Sequence, residues 1–245
     1  SRGGSRYIHE QVRIGMRLSI SGPRINFKLF EDAGHTVLIA GGIGVTPILC
    51  MGRRLAELGR SFELMYFARS RKGAAFLDEV KALGVPVHWH FDDEQGGPPA
   101  LKALLANRPS RPDTHYYACG PAVMLDSFEK SCAELGYANA HIERFAAVEV
   151  AAAADSKTHY QVELKRSGKC ITVTPELSLL AALRGAGVEV ATSCEEGICG
   201  SCEATVLAGT PDHRDSILSP TERAANKSMM VCVSGCKSAT LVLDL

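Results

Sequence analysis

Four cysteines in the last quarter of the chain have a spacing that suits a metal centre. Cys194, Cys199 and Cys202 follow the pattern C-x4-C-x2-C, and Cys232 comes after 29 intervening residues. Thiolates are soft ligands, and four of them hold either zinc or an iron–sulfur cluster. Structural zinc usually has two short cysteine pairs, whereas the four-then-two spacing is typical of a two-iron cluster. The spacing therefore predicts that these four residues bind a 2Fe-2S cluster.

The residues between these cysteines agree with that prediction. Gly197, Gly200 and Ser201 are small, and small residues let backbone N–H groups come close to sulfur. A zinc site and metal-free buried thiols remain as alternatives. Cys170 and Cys236 lie outside the pattern and are expected to take part in core or strand packing, since free cysteine behaves as a small hydrophobic residue.

A glycine-rich segment forms a second candidate site. The sequence GGIGVTP runs from Gly41 to Pro47, directly after an apolar run and at the start of a helical pattern. Gly41, Gly42 and Gly44 would let backbone amides approach a diphosphate, whose charge the helix N-terminus favours. The segment is not the full G-x-G-x-x-G pattern, so an ordinary tight turn is the alternative.

A second loop strengthens the nucleotide interpretation. Cys119, Gly120 and Pro121 end the predicted strand His115–Ala118 and precede another helical stretch. Both loops would lie at the carboxyl ends of parallel strands, which is where such sheets bind ligands. The two together predict one nucleotide site.

The sequence around these loops predicts a parallel α/β domain over residues 34–146. Short apolar runs alternate with amphipathic stretches, as expected for parallel strands joined by right-handed helical crossovers. The predicted strands are Thr36–Ala40, Phe62–Ala68, Val85–Phe91, His115–Ala118 and His141–Phe145, and the predicted helices are Pro47–Leu58, Ala74–Leu83, Pro99–Ala106 and Ala122–Leu135.

The cysteine motif belongs to a separate, smaller α+β domain at 158–245. Residues 147–157 are alanine-rich and are predicted to be a linker, with a helix fragment as the alternative. Beyond them, proline suits a first helical turn, so Pro175 and Glu176 are expected to begin a helix over Leu177–Gly185. The predicted strands are His159–Lys165, Cys170–Thr174, Glu203–Leu207, Met229–Val233 and Thr240–Leu243.

The first 33 residues predict antiparallel strands at Arg6–His9, Val12–Ile20 and Asn26–Leu29, with turn residues between them. Two or three strands cannot bury a core on their own. They are therefore expected to need partner strands that this sequence does not contain.

Composition excludes several function classes. The 27 basic and 27 acidic residues cancel, and no basic block suits a nucleic-acid surface. No apolar run approaches the roughly 20 residues of a membrane span, and the first 20 residues lack a signal-peptide pattern. An odd count of nine cysteines without a secretion signal argues against a disulfide framework. We expect a cytoplasmic protein that binds neither nucleic acid nor membrane.

These motifs resemble known families. The cysteine pattern within 158–245 resembles plant-type ferredoxins of the β-grasp fold, and the two loops resemble the NAD(P) domain of ferredoxin-reductase-like enzymes. A nucleotide domain followed by a ferredoxin domain resembles the reductases of Rieske oxygenase systems, of the phthalate dioxygenase reductase and vanillate O-demethylase reductase type. Further agreeing stretches are Arg2–Ser5, Ser21–Pro23, Glu143–Phe145 and Asp212–Asp215.

The resemblance implies an FMN-binding antiparallel β-barrel before the NAD domain. Residues 1–33 would be the C-terminal part of that barrel, and the barrel would be incomplete because the family's R-x-Y-S motif is missing. The chain is therefore expected to be a fragment of a longer protein. The resemblance also implies that Gly3, Gly4 and Ser5 hold the FMN phosphate, that Thr46 lies near the flavin ring and that Phe145 covers it.

For the dinucleotide, the resemblance implies that Cys119 lies beside the nicotinamide and that Arg69 and Ser70 lie near the adenosine ribose. Arg69, Arg71 and Lys72 form a cationic group that could take the 2′-phosphate of NADPH. A solvated loop is the alternative. The family generally uses NADH, so NADH is the expected cofactor.

The implied function is the reductase component of an aromatic oxygenase or demethylase system. It would pass electrons from NADH through FMN to the 2Fe-2S cluster and on to a Rieske-type oxygenase. Two alternatives stay open: a ferredoxin-type electron carrier whose nucleotide domain is not catalytic, and a zinc-stabilised interaction protein.

Overall fold

The computed structural model describes residues 3–20, 22, 25–108, 111–146 and 159–245. The predicted linker at 147–157 lies outside these residues. Within them, the secondary structure comprises a short helical N-terminal part, two separate five-stranded sheets and one small two-stranded sheet.

The N-terminal part is not made of strands, so that prediction was wrong. Residues Gly4–Glu10 form helix α1, in which Arg6 Nε lies 3.0 Å from Glu10 Oε1, and no strand occurs among the described residues before His35. A strand needs a neighbour to pair its backbone N–H and C=O groups, and the described residues offer none to this stretch. The apolar side chains of Ile14 and Ile20 are exposed as a result.

The first sheet is parallel throughout, as predicted, and its strands run in the order β3-β2-β1-β4-β5. After β1, the chain adds β2 and β3 on one side and then crosses over to add β4 and β5 on the other side. The order of strands in the sheet therefore reverses between β1 and β4. The strands are β1 (His35–Gly41), β2 (Phe62–Ala68), β3 (Val87–Phe91), β4 (Thr114–Cys119) and β5 (Ala140–Glu143).

Helices cover both faces of this sheet because successive side chains of a strand point to opposite sides. Leu38 packs in the core below α2, whereas Val37 and Ile39 pack in the core with α5 and α6. The helices are α2 (Val45–Glu57), α3 (Leu77–Lys81), α4 (Asp92–Gln95), α5 (Leu101–Ala106) and α6 (Ala122–Leu135), and a short 3-10 turn spans Gly42–Gly44.

The second sheet is mixed, in the order β10-β8-β12-β6-β7, with β12 and β6 parallel and the other neighbours antiparallel. One helix packs against it and buries Leu179, Leu180 and Leu183. The elements are β6 (Tyr160–Leu164), β7 (Lys169–Val173), α7 (Leu179–Gly185), β8 (Glu203–Ala208), β9 (Pro211–Asp212), α8 (Pro220–Ala225), β10 (Ser228–Met230), β11 (Gly235–Cys236) and β12 (Thr240–Leu243).

Helix α7 starts later than the prediction placed it. The hydroxyl of Ser178 accepts a hydrogen bond from the backbone N–H of Ala181 at 3.2 Å and caps the helix. The preceding residues form a turn instead, in which the Leu177 N–H donates to the Thr174 carbonyl at 3.1 Å. Serine at the cap satisfies a free helical N–H, which proline and glutamate at the expected start do not do.

The expected fold class is confirmed for the parallel-sheet domain and for the small mixed-sheet domain. No helix among the described residues has the length and apolar character that a membrane crossing would require.

Candidate functional site

The register of the first sheet brings the predicted nucleotide loops together. Ala40 of β1 pairs with Cys119 of β4, and Cys119 pairs in turn with Glu143 of β5. The carboxyl ends of β1 and β4 therefore lie side by side, at the point where the strand order reverses. This is the edge at which open α/β sheets bind ligands.

Glycine allows the two loops to touch backbone to backbone. A Cβ atom on Gly44 would lie 2.1 Å from the Cys119 carbonyl oxygen, and one on Gly120 would lie 2.9 Å from the Cα of Gly41. Gly42 has φ +53, a left-handed conformation that favours glycine. The GGIG and CGP segments thus form one continuous wall, with helices α2 and α6 starting behind it.

A cavity of about 790 Å³ opens in front of this wall and is large enough for a dinucleotide fragment. Both loops contribute to it, together with the segments that follow β2 and β3. Its lining includes Gly41, Gly42, Arg69, Ser70, Asp92 and Pro121. Five of the predicted NAD residues therefore line one cavity, whereas three do not: Gly44, Cys119 and Gly120.

A smaller cavity of about 280 Å³ adjoins the same glycines on the side of β5. Phe145 lines it with Gly41, Gly42, Gly120 and Pro121, and the Phe145 ring is 47% exposed. The preceding Arg144 is anchored on α6, where its guanidinium lies 2.8 Å from Asp126 and 2.6 Å from Glu129. That anchor holds the exposed ring beside the two loops.

The thiol of Cys119 does not line either cavity. Its side chain is fully buried, and burial, followed by the nearby Glu143 carboxylate, raises the pKa of the Cys119 thiol to about 12. The side chain is therefore a neutral thiol near pH 7, unlike the thiolate of a nucleophilic cysteine. The residue contributes its backbone carbonyl, which Gly44 contacts, and its small size.

The residues expected to contact FMN are not all together. Thr46 lines a different cavity of about 470 Å³, and its hydroxyl donates to the Ile43 carbonyl at 3.0 Å. Gly3 and Gly4 have open space around them, and Gly3 has φ +80 at the start of α1. Neither Thr46 nor Gly3 and Gly4 share a described cavity with Phe145.

The four predicted cluster cysteines lie on the loops between α7 and β8 and after β10. Backbone N–H groups point at two of their sulfurs: Glu196 and Ile198 donate to Cys194 Sγ at 3.3 and 3.4 Å, and Ser201 donates to Cys199 Sγ at 3.5 Å. Such N–H donors stabilise thiolates and cluster sulfurs. The loop is already shaped around sulfur in the way the sequence predicted.

The other two cysteines form a close pair. Cys202 Sγ and Cys232 Sγ are 3.0 Å apart, although they are 30 residues apart in sequence. Their hydrogen bond lowers the pKa of Cys202 to about 7, and the same contact raises the pKa of Cys232. Two adjacent sulfurs of this kind suit one iron.

Within the described residues, no three Cys, His, Asp or Glu side chains converge as they would around a single ion. That result does not speak against a two-iron cluster, because each of its irons takes only two thiolates from the protein. The N–H groups at Cys194 and Cys199 and the close Cys202–Cys232 pair fit the thiolate ligands of a 2Fe-2S cluster.

Positive φ angles and close contacts hold this loop in place. Gly197 has φ +71, and a Cβ atom there would lie 2.7 Å from Val233 Cγ2 and 3.0 Å from the Cα of Asp215. Gly200 has φ +70. The positive φ at both positions and the close packing around Gly197 favour glycine there, a reason separate from the approach of N–H groups to sulfur.

A buried carboxylate supports the loop from below, and sequence reasoning did not assign it this task. The Asp215 side chain is completely buried, and Oδ2 accepts backbone N–H groups from Ile217 and Leu218 at 3.2 and 2.8 Å. The next residue, Ser216, donates its N–H to the Gly197 carbonyl at 2.9 Å. The only sequence signal was that Asp215 lies in the Asp212–Asp215 stretch.

Asn26 was also missed. Its side-chain amide donates to the Cys199 carbonyl at 3.2 Å, which links the segment before β1 to the cysteine loop. An isolated asparagine 173 residues away carries no periodic or spacing signal that could reveal such a contact.

Comparison with known proteins places these features in context. A family model described as a 2Fe-2S iron-sulfur cluster binding domain matches residues 162–237, which contain all four cysteines. The chain is 47% identical over 245 residues to the phenoxybenzoate dioxygenase subunit beta of Ectopseudomonas oleovorans, covering 100% of this chain and 75% of that protein.

Several solved structures are similar over 100% of this chain, including the following two. One is an intact type IV self-sufficient cytochrome P450 monooxygenase, with a TM-score of 0.86 and 39% identity, of which this chain covers 32%. The other is phthalate dioxygenase reductase, described as a modular structure for electron transfer from pyridine nucleotides to 2Fe-2S. Its TM-score is 0.62 and its identity 37%, and this chain covers 75% of it.

Proposed function

Because the chain belongs to the family of oxygenase-system reductases that includes phthalate dioxygenase reductase, we propose that it passes electrons from NADH by way of FMN and a 2Fe-2S cluster to a Rieske-type oxygenase. The family expected from the sequence is confirmed by these relatives. When bound, the three groups supply hydride transfer and one-electron transfer, and the protein supplies position and environment.

One observation carries the proposal: a single chain combines the two-loop cavity with four cysteines at the two-iron spacing, two of which, Cys202 and Cys232, lie 3.0 Å apart. Gly41 and Gly42 leave room for a diphosphate next to the α2 N-terminus, where backbone N–H groups and the helix dipole favour negative charge. Arg69 and Ser70 line the far end of the cavity and suit an adenosine ribose. This cavity favours the reductase over a ferredoxin-type carrier with an inactive nucleotide domain.

Cys194, Cys199, Cys202 and Cys232 would hold the cluster. The N–H groups that point at Cys194 and Cys199 stabilise negative charge on sulfur, and thiolate is the form that binds iron. Cys202 is buried, which keeps water from that side of the site. The thiolates need a reducing compartment, so we place the protein in the cytoplasm.

For FMN we propose contacts at Gly3, Gly4 and Ser5 for the phosphate and at Thr46 and Phe145 for the ring. The open space at Gly3 and Gly4 leaves their backbone accessible to an anion, and the exposed ring of Phe145 stands beside the nucleotide loops. An aromatic face at this place suits stacking with a planar ring and excludes water from it.

The test is an anaerobic titration of the purified, iron-replete protein with NADH and then dithionite, recording the visible spectrum with iron, sulfide, zinc and flavin contents. We expect two irons and two sulfides per chain, and bleaching by NADH when FMN is bound. A colourless protein with one zinc and no iron would refute the cluster. Bleaching by dithionite but not by NADH, with FMN bound, would refute the reductase and leave a ferredoxin-type carrier.

The acceptor is tested in the same preparation. The NADH-reduced protein should be reoxidised by a Rieske-type oxygenase component added without oxygen, with the Rieske spectrum changing in step. Reoxidation by a haem monooxygenase and not by the Rieske component would refute the proposed partner while leaving the reductase activity intact.

A further inference from the structure

The charges around the far end of the 790 Å³ cavity differ from what the sequence of the loop suggests. Among the described residues, the cavity is lined by two charged side chains, Arg69 and Asp92. Lys72 is exposed and does not contribute to the lining. One positive and one negative group face the space in which an adenosine ribose would lie.

The carboxylate is held beside the arginine by the backbone. Ala68 at the end of β2 pairs with Phe91 at the end of β3, so the segments that follow both strands leave the same edge of the sheet. The N–H of Asp93 donates to the Arg69 carbonyl at 3.0 Å and ties the start of α4 to the loop after β2. The Asp92 side chain is about one third exposed, its Oδ1 lies 3.4 Å from His90 Nε2, and Asp92 and Arg69 both line the cavity.

A second carboxylate removes Arg71 from the cationic group. Arg71 Nε and Nη2 donate to the two Glu94 oxygens at 2.9 and 3.1 Å, in the two-pronged geometry that arginine also uses for phosphate. The Arg71 guanidinium also lies over the Phe91 ring, with Cζ 4.3 Å from its centroid. Both contacts hold the guanidinium away from the cavity, and Glu94 neutralises its charge.

We propose that Asp92 and Glu94 together make the site selective for NADH over NADPH. The Asp92 carboxylate can accept a hydrogen bond from the ribose 2′-hydroxyl, whereas a 2′-phosphate in that place would meet a like charge. Glu94 withholds Arg71, the bidentate donor that a 2′-phosphate would need. This inference rests on the proposed nucleotide site and adds the residues that choose between its two possible cofactors.

Binding of cofactor fragments tests the selectivity without any flavin or catalysis. The dissociation constants of ADP-ribose and of its 2′-phosphate analogue are measured by calorimetry on the purified chain and its variants at two salt concentrations. Asp92→Asn and Glu94→Gln each remove one charge and preserve side-chain size. Asp78→Asn makes the same change at a residue that is 96% exposed and outside the cavity.

We expect the wild type to bind ADP-ribose at least tenfold more tightly than the phosphorylated analogue. Each of the two site variants should reduce the ratio of the two affinities by about tenfold. This factor corresponds to about 1.4 kcal/mol, the effect expected from removing one partly exposed like charge. In Asp92→Asn, weaker binding of ADP-ribose should contribute. In Glu94→Gln, only the dissociation constant of the 2′-phosphate analogue should change. The control Asp78→Asn should leave the ratio of the two dissociation constants within twofold of the wild-type ratio.

Three results would overturn the inference. Equal or tighter wild-type binding of the 2′-phosphate analogue would show that the site does not select the unphosphorylated ribose. An unchanged ratio in both Asp92→Asn and Glu94→Gln would show that these carboxylates are not the cause. Binding of neither compound by the wild type would refute the nucleotide site itself, and with it this inference, so the two failures are distinct.

Discussion

Replacing Gly44 with alanine tests whether direct backbone contact between the two nucleotide loops holds the cavity in shape. The new methyl carbon would lie 2.1 Å from the Cys119 carbonyl oxygen, whereas ordinary contact begins at 3.4 Å. The loops must therefore separate by about 1.3 Å, the difference between these two distances. Cys119 is in a strand that is paired on both sides, so the displacement must disturb the turn or the start of α2.

Overpacking of this kind costs about 3 kcal/mol, the upper end of the usual range for one added methylene-sized group. For a domain of this size we expect the melting temperature of the nucleotide domain to fall by about 10 °C. The displaced loop also loses its fit to the diphosphate, so the affinity for ADP-ribose should fall by at least about tenfold, which corresponds to about 1.4 kcal/mol.

The matched control is Gly185→Ala. Gly185 ends α7, its φ is not in the positive range, and a Cβ atom there would meet nothing within 4 Å. The same chemical change should therefore leave stability unchanged or raise it by up to about 1 kcal/mol, since alanine loses less entropy on folding than glycine. Differential scanning calorimetry and ADP-ribose calorimetry measure both variants. Wild-type melting and wild-type affinity in Gly44→Ala would refute the contact argument.

Three further predictions concern the cysteine loop and the first sheet. Asp215→Asn should destabilise the cluster domain by about 2–3 kcal/mol and speed iron release. The reason is that the Arg223 guanidinium, 3.7 Å away, loses its charged partner. Wild-type melting and wild-type iron retention in this variant would contradict the prediction. Cys199→Ser should lose the visible iron–sulfur spectrum, while the exposed Cys170 changed to serine should keep it; equal spectra would count against the ligand assignment. Burial, followed by the charge of a neighbouring histidine, lowers the pKa of His141 to about 4, below its usual 6.5, so the stability it contributes is present above pH 6.5 and lost as the pH falls towards 4. Denaturant unfolding at pH 7 and pH 4.5 gives the decrease in unfolding free energy between these two pH values. In His141→Gln this decrease should be smaller than in the wild type by about 1–2 kcal/mol. An identical decrease in both proteins would show that another group is responsible.

Much of the nucleotide domain could be predicted from the sequence because its signals are local. The strand Phe62–Ala68 and the helix Ala122–Leu135 agree with the structure at both ends. A buried parallel strand must be apolar throughout and a surface helix must be amphipathic, so both leave a periodic pattern in the residues themselves. The C-x4-C-x2-C spacing is local in the same sense.

The prediction for the N-terminal part failed for the opposite reason. Alternating apolar residues at Ile14, Met16, Leu18 and Ile20 indicate a strand, but alternation describes only one side of a pair. Pairing depends on a neighbour, and the described structure provides none for this segment. Local pattern alone could not decide between a strand and an irregular chain there.

The sequence by itself indicated which chemistry the chain can carry, through the spacing of the four cysteines and the glycines of the two nucleotide loops. Only the tertiary structure decided how the charges are used. Arg71 is paired with Glu94, 23 residues away, and Asp92 is brought beside Arg69 by the pairing of two strands. A side chain's partner depends on which elements become neighbours in space, and residue type and spacing do not specify that.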